Sequence, residues 1–265
     1  MANQQFRKVK SIDTQNSVYL NFCSKRASER RTLKNKLPPT AINQLSLLFE
    51  DVTRNLLSEY FTLTDKRILA FEERCNQFGY IQKYREIDVV GVQRSQPYLL
   101  FEVKTSSSIN QEKVIHKAKK QLRKSQEIAS WLNPELKLCI IYIDIYSHKI
   151  IRPRSLHSFD TSFSKDLNSI QTNTSEEIPC IILSGAEIWY QAVSRGWIEN
   201  SCLWTEAQAE IEENMDKQNR KKASIAEGAP AEILQFGEFN GETSFQQAFL
   251  KARQKQKRQH LIARS

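Results

Sequence analysis

Three residues near the middle of this 265-residue chain have types and spacing that could do chemistry: Asp88, Glu102 and Lys104. They lie in two apolar stretches, Glu86-Ile87-Asp88-Val89-Val90-Gly91 and Leu99-Leu100-Phe101-Glu102-Val103-Lys104. An acid in such a setting is costly to bury unless it is paired or bound to a metal. Side chains two apart on a strand share a face, so Glu102 and Lys104 point the same way. A short polar link, Gln93-Arg94-Ser95-Gln96-Pro97, joins the two stretches and predicts an antiparallel hairpin. A turn centred near Ser95 puts Asp88 opposite Glu102, and two carboxylates so placed repel each other. A divalent cation between them removes the conflict. Carboxylate oxygens are the ligands Mg²⁺ takes, in octahedral geometry completed by water and substrate phosphate. Lys104, on the same face, is then placed to orient an attacking water or help deprotonate it.

The surrounding elements must hold these side chains. Thr40 caps a helix predicted from about Ala41 to Tyr60, in which Ile42, Leu45, Phe49, Val52 and Leu56 recur at helical steps. Ile68–Glu73 and Tyr80–Tyr84 are weaker strand candidates, followed by stronger ones at Glu86–Val92 and Tyr98–Lys104. A second helix is expected from about Gln111 to Leu132, capped by Asn110 and stopped by Asn133-Pro134. The apolar run Leu138–Tyr146 reads as a central strand buried on both faces. Residues 152–177 are polar and Ser/Thr-rich and read as a loop. A strand at Pro179–Leu183 and a helix at Gly185–Arg195 complete a mixed α/β layer fold. Beyond Ser201 two charged helices are expected, Glu206 to Asp216 and Lys251 to Arg264, with Gly228-Ala229-Pro230 as the break between them. Capping boxes are read at Thr205/Gln208 and Ser244/Gln247. Pro38-Pro39 marks a boundary, so the chain divides into an arm at 1–40, a domain at 41–200 and a charged extension at 201–265.

The Asp88 … Glu102-x-Lys104 arrangement resembles the PD-(D/E)XK nuclease superfamily, the restriction-endonuclease-like fold, over roughly residues 41–195. The resemblance implies an αβββαβ core with a mixed central sheet and a metal-dependent nuclease. Asp88 and Glu102 would hold Mg²⁺ (or Mn²⁺), and Lys104 would assist the nucleophilic water. Ile87-Asp88 stands where many members have Pro-Asp. Acid-x-Lys alone is a weak signal: roughly two matches are expected by chance in a chain of this size. The other match here, Glu135-x-Lys137, has no Asp between it and Asp88 and follows Asn133-Pro134. The resemblance further implies a metal-binding Glu on the first helix, for which Glu50 is the candidate and Glu59 the rival, with Glu72 and Glu73 behind them. It also implies a Gln on the second helix, matched by Gln121 within the stripe Val114, Ala118, Leu122, Ser125, Ala129, Leu132. Asp144, inside its apolar strand, is better explained by a tyrosine or backbone partner than by a metal.

Charge points to a polyanionic partner. Residues 1–40 carry a net +7 and residues 249–265 a net +6; subtracting these from the total of +9 leaves −4 for residues 41–248. Basic arms on a near-neutral body suit nucleic acid, with DNA ahead of RNA on family grounds. Inside the domain, Lys113, Lys117, Lys120, Arg123 and Lys124 on the second helix are candidates for phosphate contact. A homodimer, or a protein partner docking on 205–265, is the open alternative, as is a non-catalytic binding subunit that keeps the fold. No apolar run approaches a membrane span, and no apolar leader core follows Met1. The five cysteines are widely spaced with no Cys-x-x-Cys, and the four histidines show no ligand spacing. The expectation is an intracellular protein, cytoplasmic or nucleoid-associated, without a membrane partner. No Gly-rich phosphate loop and no Gly-x-Ser-x-Gly elbow occurs, so nucleotide hydrolysis and serine-hydrolase chemistry lack support.

Overall fold

The computed structural model describes residues 5–31, 40–75, 79–106, 110–145, 153–172, 177–199 and 201–228. The chain divides into two compact units, 1–213 and 214–265. The first is an α/β assembly with two sheets. Of the second, residues 214–228 are described, and they are helical.

The larger sheet carries the apolar stretches singled out above. Strands β4 (Val89–Gln93) and β5 (Gln96–Ser106) form the antiparallel hairpin, with Val89 facing Phe101 and Val90 facing Leu100. Continuing this register sets Asp88 against Glu102. Arg94 and Ser95 form the turn, both in the left-handed region at φ 51° and 65°, which matches the twist that a two-residue hairpin needs. Strands β6 (Lys137–Asp144) and β7 (Cys180–Ser184) then add in parallel, giving the order β4-β5-β6-β7 and a mixed sheet. Strand β6 lies between two neighbours, which is why it reads as an unbroken apolar run. Helix α3 (Gln111–Ala129) returns the chain from β5 to β6, with Asn110 capping it by accepting from the Lys113 N–H at 3.1 Å. It buries Ala118, Leu122, Ile128 and Ala129 against Leu100, Leu138 and Ile140 of the sheet. Helix α2 (Ala41–Ser58) packs on β5 as well; Thr40 caps it, accepting from Asn43 N–H at 3.3 Å.

The smaller sheet holds a correction. Residues 1–40 read as an arm of little periodicity, but Phe6–Ile12 is strand β1 and Ser17–Arg31 is helix α1. Strand β1 pairs antiparallel with β2 (Ile68–Cys75), which pairs with β3 (Gly79–Glu86). Arg7 and Lys8 reach Glu72 at 2.5 and 2.8 Å, so part of the arm's positive charge is spent on this sheet. Phe6 sits edge-on to Phe71, with centroids 5.6 Å apart. Residues 32–39 lie outside the described residues.

The expected strand 86–92 is also divided. Glu86 ends β3, β4 begins at Val89, and Ile87-Asp88 joins the two sheets. Beside this joint, residues 62–67 run along 87–92: Ile87 N–H donates to Arg67 C=O at 3.0 Å, Thr64 N–H to Val90 C=O at 3.1 Å, and Val92 N–H to Thr62 C=O at 2.8 Å.

Two further expectations fail. Residues 156–172, read as loop, form helix α4 (Leu156–Thr172). Its stripe Phe159, Phe163, Leu167, Ile170 is narrow but fully used, every member being buried. The capping box at Thr205/Gln208 is not formed: helix α6 (Leu203–Gly228) begins two residues earlier and leaves Thr205 exposed within it. Trp204 instead meets Phe49 and Trp189, and Glu210 caps the start of α2 by accepting from Ile42 N–H at 3.1 Å. Helix α5 (Gly185–Ser194) follows β7 as expected. The second charged helix and the Ser244/Gln247 box lie outside the described residues. Among the described residues, no helix is long and apolar enough to cross a membrane.

Candidate active site

The hairpin positions the three chemistry-bearing residues. On β5, Leu100, Glu102 and Lys104 share one face, level with Leu138, Ile140 and Tyr142 on β6. Helix α3 covers that face, so Glu102 is only 6% exposed. The Lys104 ammonium lies 2.6 Å from Glu102 Oε1, while its side chain keeps 28% of its surface in solvent. Asp88 comes in from the joint before β4, and its Oδ2 accepts the Val103 N–H at 2.7 Å. The aspartate therefore meets the segment between Glu102 and Lys104, as the hairpin register requires. Arg54 on α2 fixes the same residue from behind, donating to the Asp88 carbonyl at 3.0 Å.

The electrostatics follow from this crowding. Burial pushes the Asp88 carboxyl up to about 7, and Glu102 and Glu50 push the same way against Lys104 and the Val103 N–H. Burial raises Glu50 too, with Lys104 opposing and Glu86 adding to the rise. For Lys104, burial acts to lower the value, but Glu102, Asp88 and Glu50 outweigh it and hold the ammonium above its ordinary pKa. Lys104 is thus a cation here, a donor rather than a base. The near-neutral carboxyl of Asp88 is the group able to exchange a proton at ordinary pH.

Glu50 lies in the field of Asp88 and Lys104, unlike its rivals. Glu59 ends α2 and binds Arg195 through both carboxylate oxygens at 2.9 Å. Glu72 is held by Arg7 and Lys8, and Glu73 by Lys83 at 2.5 Å. Even so, among the described residues no three or more His, Cys, Asp or Glu side chains gather closely enough to hold an ion. Glu50 accordingly does not join Asp88 and Glu102 in a ready-made three-carboxylate cluster. The Asp88–Glu102 pair does fit the donor set of Mg²⁺, which needs one or two carboxylates with water and phosphate.

Gln121 lies on α3 as expected. Helix rise carries it ~16 Å back from Asn110, and β5 covers ~14 Å from Ser106 back to Glu102. Its side-chain oxygen is buried with no hydrogen-bond partner, an acceptor waiting for a donor. Its carbonyl accepts from Arg85, whose Nε also donates to Ser125 Oγ at 2.5 Å. The residue that the sequence reading missed is Arg85. Burial lowers its pKa, while Glu102 and Asp88 act to raise it, so its cation stands in the field of both carboxylates. Only the Arg-x-x-Asp spacing of Arg85 and Asp88 could have flagged it, and that is too common to count.

Lys113, Lys117, Lys120, Arg123 and Lys124 are all exposed along α3. Lys124 stands 4.0 Å from Glu73 Oε1, and Lys119 pairs with Glu177 at 2.8 Å. Asp144 ends β6 in register with Ser106 on β5 and Ser184 on β7. No protein-family model, curated protein or solved structure matches this chain.

Proposed function

We propose that the chain is a metal-dependent nuclease that hydrolyses phosphodiester bonds of nucleic acid, DNA before RNA, on a restriction-endonuclease-like core. The observation that carries the reading is the Asp88 carboxylate seated on the Val103 N–H, between Glu102 and Lys104. The element order supports it in part: α2, the β4-β5 hairpin, α3 and β6 come in the expected order and open a mixed sheet, whereas β2 and β3, two strands where the αβββαβ order has one, pair with β1 in a separate sheet. Asp88 and Glu102 would hold Mg²⁺ or Mn²⁺. Such a cation, when bound, stabilises the charge that builds on a phosphate under attack. Lys104 supplies an ammonium donor for a water or a phosphate oxygen beside the carboxylates. Gln121 offers an unpaired acceptor for a water proton, and Arg85 positions it by gripping its carbonyl. Exposed lysines on α3, with the basic residues of the chain's two ends, would give affinity by counterion release, falling steeply with salt.

The test is cleavage. Plasmid, single-stranded DNA and RNA are incubated with the full chain in Mg²⁺ or Mn²⁺, beside EDTA and Lys104→Ala controls. Cleavage is expected in the metal lanes, absent with EDTA and reduced roughly 10²- to 10³-fold in the variant. Salt-sensitive binding without cleavage would replace this reading with a non-catalytic nucleic-acid-binding protein. Association with a protein partner alone would replace it with an assembly subunit.

A further inference from the structure

The outer face of α3 does more than display lysines. Residues eighteen apart on an α-helix fall on one line, about five turns along. Lys113 and Trp131 are so spaced. Lys117, Lys120 and Lys124 fall within about 40° of that line and Arg123 about 80° to its side. Glu127 lies among them, and Glu73 of β2 stands 4.0 Å from Lys124 at the edge of the row. Helix α3 ends at Ala129, but the winding continues: Trp131 N–H donates to Ile128 C=O at 3.3 Å and Asn133 N–H to Ala129 C=O at 3.1 Å. Trp131 therefore ends the row, with its side chain in solvent at 53% exposure. Trp189, by comparison, is 9% exposed, and Trp204 packs against it and Phe49. The Asn133 side-chain amide donates to Pro97 C=O at 2.9 Å and ties this turn to the start of β5, so the indole stands on rigid elements.

A row of cations ending in an exposed indole matches a polyanionic chain that carries flat aromatic groups. Phosphates meet the lysines, and a base stacks on the ring. A base inside a duplex already has both faces covered by its neighbours, so only an unpaired or terminal base can stack there. We infer that α3 and Trp131 together bind a nucleic-acid strand through an unpaired base. The preferred substrate of the site above is then single-stranded, or a duplex with a single-stranded end, rather than a blunt duplex. This inference rests on the reading of the chain as acting on nucleic acid.

The experiment uses the full chain in EDTA, with a labelled oligothymidylate and a labelled blunt duplex of equal length, read by fluorescence anisotropy. The wild type is expected to bind the single strand more tightly. Trp131→Ala should weaken single-strand binding roughly 5- to 150-fold and leave the duplex unchanged, with Trp131→Phe retaining most of the affinity. Lys117→Glu should weaken both ligands and flatten the salt dependence. Circular dichroism checks that each variant folds, as the exposed position of both residues predicts. Equal loss on both ligands in Trp131→Ala, or no preference in the wild type, overturns the inference. The same oligonucleotides with Mg²⁺ separate the two claims. A Trp131-dependent preference without cleavage keeps this inference and overturns the nuclease. Cleavage indifferent to Trp131 does the reverse.

Discussion

Asp88 gives the fold a pH-dependent contribution to stability. Its carboxyl has an ordinary value near 3.8 and is raised to about 7 in the fold, chiefly by burial and then by Glu102. The folded state therefore holds this proton over a window in which the unfolded chain has lost it. The stability that Asp88 contributes should be fully present below about pH 4, fall as pH rises through the window, and level off above about pH 7. Asp88→Asn should remove that slope and raise the melting temperature at pH 8, as followed by calorimetry across pH. Added Mg²⁺ or Mn²⁺ should stabilise the wild type at pH 8 and not the variant. The opposition of Asp88 and Glu102 was legible in the sequence because the hairpin link fixes register, and register fixes facing pairs. Arg85 was not legible, because nothing local says that β3 runs past α3. Nor was the rise of Lys104 above its ordinary value despite burial, which depends on carboxylates from β5, α2 and the joint before β4.

At the scale of elements, packing explains both the hits and the misses. Strand β6 announces itself because both faces and both edges are covered. Helix α4 hides because only a stripe one residue wide is apolar, in a segment otherwise rich in Ser, Thr and Asn. Strand β1 hides because it lies at the edge of its sheet and three of its seven residues are charged; its partner Glu72 supplies the reason, and that partner is more than sixty residues away. Where elements are forced close, small changes should be costly. A Cβ on Gly185, at the turn from β7 into α5, would come within 2.6 Å of Ile145 Cγ2 and 3.1 Å of the Asp144 carbonyl. Gly185→Ala should therefore destabilise the fold by about 1–3 kcal/mol, measured by urea denaturation.

At the scale of the whole molecule, the two sheets meet at Ile87-Asp88, and residues 62–67 lace the joint on one side. The candidate catalytic aspartate thus belongs to neither sheet but to the seam between them. Its alignment with Glu102 and Lys104 rests on the Val103 N–H, on Arg54 at its carbonyl and on a core in which Phe6, Leu69 and Phe71 of one sheet pack with Leu100 and Ile140 of the other under α3. If the chain cleaves nucleic acid as proposed, cleavage in a graded urea titration should be lost together with the far-ultraviolet signal, because one buried core holds both sheets. A seam stitched into a common interior has no separate breaking point, so whatever chemistry the aspartate performs would vanish and return with the architecture as a whole.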